Sequence, residues 1–132
     1  PPAAAWLGCW LEGCAYGLPA NGASWGIPVV DEWGQVESRL PLQLLGTLLA
    51  LGIPWLVESW EDRQVKQSVR PGMRGMLCLL GLALSLLGLS FLRGDPTLLW
   101  NGQRPETSGA LVLLVFSGVG LGRVGRGAKE QK

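Results

Sequence analysis

The chain has 132 residues, 48% hydrophobic and 16% charged, with 20 glycines, 7 tryptophans and a mean hydropathy of +0.27, a balance too apolar and glycine-rich for an ordinary soluble domain. A net charge of +1 provides no basic surface for nucleic acid, and with no histidine the chain offers neither imidazole catalysis nor imidazole or axial histidine ligation. Three cysteines, Cys9 and Cys14 five apart and Cys78 in an apolar run, make neither a zinc spacing nor a disulfide framework; they read as small packing residues, and no metal or cofactor is expected.

The chain opens on Pro1-Pro2-Ala3-Ala4-Ala5, without a charged leader region or a methionine, as at a processed or partial terminus. Residues 3–16 predict a helix of about 21 Å, too short to span a bilayer and therefore partial or re-entrant. Glu12 within it would be costly at lipid depth, so it is expected near an interface or facing protein, with Trp6, Trp10 and Tyr16 as interfacial anchors. Residues 17–39 form an outward-facing loop marked by Pro19, Asn21-Gly22 and Gly26-Ile27-Pro28, in which Asp31, Glu32 and Glu37 precede Arg39.

Residues 40–57 carry no ionisable group and predict the first transmembrane helix. Gly46 and Ala50 lie one turn apart as helix-packing residues, and Gln43 sits near the outer interface. Pro54 removes the bond to the Ala50 carbonyl, which predicts a kink at residues 50–53. Residues 58–74 form a charged connection edged by Trp55 and Trp60. Residues 75–92, again uncharged, predict the second span, with Cys78, Gly81, Ser85 and Gly88 as a small-residue packing seam amid leucines. An outer loop over 93–106, a third span over 107–122 and a basic tail over 123–132 complete the chain. Lysine and arginine number one, four, two and four in the successive non-spanning segments, so the 58–74 loop and the tail are assigned to the cytoplasm. The expected fold is a single all-α integral membrane domain of three transmembrane helices plus the partial N-terminal helix. Gly120-x-Gly122-x-x-Gly125 matches the dinucleotide-binding pattern but lacks a preceding strand and a following acidic residue, so it reads as helix packing and helix ending.

Two groups of residues carry a family resemblance. Residues 8–17, GCWLEGCAYG, followed by Leu18-Pro19, Ser24-Trp25-Gly26 and Arg39-Leu40-Pro41-Leu42-Gln43-Leu44, resemble the signature region of the prolipoprotein diacylglyceryl transferases. Arg70-Pro71-Gly72-Met73-Arg74-Gly75, leading to a helix that ends Ser90-Phe91-Leu92-Arg93, is similar to a later part of that family's C-terminal half. The resemblance implies a membrane enzyme of the bacterial inner membrane that moves a diacylglyceryl group from phosphatidylglycerol to a lipoprotein cysteine. Gly8, Gly13, Gly17, Pro41, Gln43 and Arg93 match its motifs; Trp6, Cys9, Cys14 and Leu40 stand where it has arginine, asparagine, glutamate and histidine. It implies Arg93, Arg39 and Gln43 as lipid-binding candidates, with Arg93 and Glu12 as the residual catalytic candidates. Plainer roles stand beside these: snorkelling for Arg93, and a helix-end hydrogen bond for Glu12. With the polar motif substituted, the expected function is a non-catalytic accessory subunit that contacts membrane lipids and hydrophobic protein partners, the alternative being a diverged or partial transferase.

Overall fold

The computed structural model describes residues 2–20, 22, 24–30, 33–63, 72–96 and 104–126. Its elements in chain order are α1 (Pro2–Glu12), β1 (Ile27–Val30), β2 (Val36–Arg39), α2 (Leu42–Arg63), α3 (Met73–Leu92) and α4 (Pro105–Arg126). Three helices are long and apolar enough to cross a membrane: Leu42–Trp60, Met73–Leu92 and Pro105–Gly125. Helices are present at all three expected segments; α2 begins at Leu42, and in α2 and α4 polar residues continue the helix beyond the apolar run. Pro54 lies inside α2, which stays helical on both sides of it. Residues 64–71 of the expected cytoplasmic loop, 97–103 of the outer loop and 127–132 of the tail lie outside the described residues, as do Asp31 and Glu32.

The all-α expectation is corrected in the 17–39 segment. Ile27–Val30 and Val36–Arg39 pair antiparallel, with Ile27 opposite Arg39 and Val30 opposite Val36. Valine and isoleucine favour the pleat, and Gly34 at φ 77° supplies the left-handed residue of the connection. The first helix is also shorter than the 3–16 expectation. It stops at Glu12 because Gly13 adopts φ 68°, and the Cys14 amide then donates to the Cys9 carbonyl at 2.9 Å. That is the Schellman ending, in which the second residue past the cap bonds back to the last turn. Cys9 and Cys14 are joined in a disulfide with their Cα atoms 4.6 Å apart. Their reading as packing residues is therefore overturned: the helix stop brings together two sulfurs that spacing alone does not pair. Cys78 is a free thiol.

α1 packs on α2, α2 on α3 and α3 on α4, and among the described residues no other helix pair is in contact. The helices thus form a row, not a closed bundle. Small residues set the approach between neighbours. A methyl at Gly46 would enter the Trp6 indole, one at Gly81 would lie 2.6 Å from Ile53 Cγ2, and one at Gly120 would lie 2.5 Å from Met76 Sδ. Ala50 is buried, and so are Ala83 of α3 and Ala110 of α4. Of the other residues of the expected α3 seam, Gly88 has open space beside it and Ser85 donates its hydroxyl to the Leu82 carbonyl. The GxGxxG glycines lie within α4, where Gly120 receives Met76, so no phosphate-binding turn exists there.

Candidate functional site

One extended strip, residues 16–20, follows α1 and ties the approach to α2 to the end of α3 beside the hairpin. The Gly17 amide donates to the Leu40 carbonyl at 3.2 Å and the Leu40 amide to the Leu18 carbonyl at 3.1 Å. On its other side the strip bonds from Leu18 to Leu92 at 3.0 Å, and the Gly94 amide reaches the Tyr16 carbonyl at 2.9 Å. Glycine is required where these chains touch. A methyl at Gly17 would lie 2.6 Å from the Leu40 carbonyl oxygen, and one at Gly94 would lie 2.7 Å from that of Gly17.

Polar side chains gather around this strip. Gln43, at the start of α2, is 1% exposed; its Nε2 donates to the Cys14 carbonyl at 2.9 Å, while Oε1 is buried without a partner. Thr47 donates to the Gln43 carbonyl at 2.8 Å. Arg39 stacks its guanidinium 4.4 Å from the centre of the buried Tyr16 ring, pairs Nη2 with Glu37 at 2.7 Å, and keeps Nε buried without a partner. The cation–π contact holds Arg39 against the strip.

Arg93, directly after α3, is enclosed by acids. Its Nε donates to Asp95 Oδ1 at 2.8 Å, Nη2 pairs with Asp95 Oδ2 in a fork, and Nη1 meets Glu106 Oε1 at 2.8 Å. Arg104 joins from the other side, donating Nη2 to the Asp95 carbonyl at 3.0 Å and to the Arg93 carbonyl at 3.3 Å. Pro105 and Glu106 open α4: proline suits the first helical position, and the carboxylate suits the positive end of the dipole. Ser90 and Thr107 bond across α3 and α4 at 2.5 Å. The hydrogen bond that Arg93 donates to Asp95, stronger here than the opposing burial, raises the Arg93 pKa above its usual value. Burial alone would push the Asp95 carboxyl up, but the Arg93 hydrogen bond and charge, with Arg104 beyond, hold it below the usual carboxylate range.

Three of the expected residues, Arg39, Gln43 and Arg93, therefore sit at one end of the helix row. Glu12 does not join them; it stands exposed on a cleft between the end of α1 and β1. Cys78, Gly81, Ser85 and Gly88 lie within α3 and contribute none of the bonds described above. Sequence reasoning missed Tyr16, Asp95, Arg104 and Glu106. The available signal was Pro105-Glu106, which marks a helix start and places a carboxylate at the same end as the Arg93 that follows α3.

No protein-family model matches the chain, and no curated protein or solved structure matches it either.

Proposed function

We propose that the chain is a non-catalytic membrane subunit, built on a scaffold resembling the prolipoprotein diacylglyceryl transferases, that serves as a structural partner in an assembly of the bacterial inner membrane. The observation that carries this reading is the enclosure of Arg93. Asp95 and Glu106 engage all of its guanidinium nitrogens, and a phosphate would have to displace one of two carboxylates from a partly buried site. Arg39, Arg93 and Arg104 are matched by Glu37, Asp95 and Glu106, so the cluster has no surplus positive charge for an anionic lipid headgroup. The row of helices supports the same reading, since it leaves wide apolar faces for lipid and partner helices. In this reading the hairpin end faces outward and the C-terminus is cytoplasmic, an orientation supported by the distribution of lysine and arginine. The Cys9–Cys14 disulfide agrees, because such bonds persist on the oxidising side of a membrane.

A partial transferase is the second reading. It draws on the unpartnered Gln43 Oε1 and Arg39 Nε, two buried polar atoms on residues that match, or lie beside, the family's motifs. Transfer of diacylglyceryl from phosphatidylglycerol to a cysteine-containing lipoprotein peptide in reconstituted vesicles separates the two. The subunit reading expects no turnover from this chain; turnover that disappears in Arg93→Ala would replace it with the enzyme.

A further inference from the structure

The cleft at the end of α1 takes no part in the charge cluster. It encloses about 330 Å³ between residues 10–13 on one side and residues 28–30 of β1 on the other. β1 is an outer strand of the two-stranded sheet, and among the described residues it pairs with β2 on one side only. Pro28 stands opposite Ser38; proline has no amide hydrogen, and the Ser38 carbonyl accepts from Ala20, so this pair exchanges no bonds. The bonded pairs are then Ile27 with Arg39 and Val29 with Glu37, and by alternation the Pro28 carbonyl and both Val30 backbone groups turn to the free edge. Such an edge is a template for a further strand.

The opposite wall is negative. The C-terminal end of α1 carries the partial negative charge of its dipole, and in its last turn the Cys9 carbonyl accepts from the Cys14 amide beyond the helix. The Glu12 carboxylate adds a full charge and is the one ionisable group lining the cleft among the described residues. In sequence, β1 is followed by two further acids, Asp31 and Glu32.

We infer that this cleft receives a short extended segment of a partner protein, which adds as a strand to the edge of β1 and places a lysine or arginine against Glu12. The alternating carbonyl and amide groups favour a polypeptide over a lipid headgroup, because only a main chain offers matching groups at about 3.3 Å per residue. Residues 28–30 fit three or four residues of such a strand. The inference rests on the reading of the chain as a subunit with protein partners and names the chemistry of one of them.

The test uses the full chain in mild detergent and fluorescein-labelled, end-blocked pentapeptides, Val-Thr-Lys-Thr-Val and its counterpart with glutamate for lysine. Fluorescence anisotropy is expected to show the lysine peptide binding about tenfold more tightly, from the carboxylate and the helix end together. Glu12→Gln, an exposed change that leaves the fold intact, is expected to reduce that preference to about twofold, the helix end alone remaining. A lysine peptide N-methylated at alternate amides is expected not to bind. Equal binding of the lysine and glutamate peptides, binding that survives N-methylation, or no binding at all would overturn the inference. So would a dimer of the chain that occupies the β1 edge and excludes the peptides. None of these outcomes bears on lipid transfer, whose presence or absence decides the subunit reading separately.

Discussion

At Asp95 the energetics of the hairpin end concentrate in one carboxylate. Its side chain is 7% exposed and faces two arginines, so Asp95→Asn leaves Arg93 and Arg104 with Glu106 as the remaining acid of the cluster. Uncompensated charge at a largely buried position is expensive, and a loss of about 2–4 kcal/mol is expected, read as a lower thermal midpoint in detergent by intrinsic tryptophan fluorescence. Arg93→Lys should lose part of this as well, since an ammonium cannot make the bidentate fork. The pH dependence has a definite sign. Asp95 has a folded pKa below its ordinary 3.8, so its contribution to stability is complete above the ordinary value and is lost as the pH falls through the lower folded one. Wild type should therefore lose stability on acidification below about pH 4, and Asp95→Asn should show less of that acid loss. Arg93 was visible in the sequence as a charge at a helix end. Its acidic partners were not, because one requires the turn after α3 and the other requires the start of α4 to fold back beside it.

The helices themselves were legible because lipid imposes a simple rule: residues 40–57, 75–92 and 107–122 carry no Asp, Glu, Lys or Arg, and each lies inside an observed helix or, at residues 40 and 41, just before one. The hairpin escaped because Ile27–Val30 and Val36–Arg39 are four residues each, the first contains proline and the second two charges. The disulfide escaped for a related reason. Five-residue spacing closes only when Gly13 turns left-handed and the chain doubles back on Cys9, a fact of the helix ending and not of cysteine spacing. That bond fixes the carbonyl that Gln43 holds, so Cys9→Ser with Cys14→Ser should cost about 2 kcal/mol and loosen the junction of α1 with α2. Proteolysis near residues 13–16 should accelerate in the double variant relative to wild type. At the other contact of these helices, Gly46→Ala drives a methyl into the Trp6 ring and should cost about 1–3 kcal/mol. Trp6→Leu in the same chain should restore part of that loss, which a general helix-propensity effect of alanine would not explain.

Over the whole molecule, the row of four helices gives the hairpin end and the opposite end very different chemistry. The hairpin end holds the disulfide, the strip of residues 16–20 and a neutral cluster of matched charges; the opposite end holds the exposed pair of Arg74 with Glu58 at 3.9 Å and Arg123 near the end of α4. Two independent constraints orient such a row. Lysine and arginine are retained on the cytoplasmic side, and a disulfide persists on the oxidising side. On the proposed reading both put the hairpin end outside, and that orientation is testable. In a Cys78→Ala background, Ser38→Cys on β2 and Glu58→Cys on α2 put exposed thiols at the two ends. A membrane-impermeant maleimide should label the first in intact cells and the second only after permeabilisation. The reverse pattern would leave Cys9 and Cys14 facing a reducing cytoplasm, where the pair would be held as thiols; it would remove both the positive-inside assignment and the disulfide's support for it.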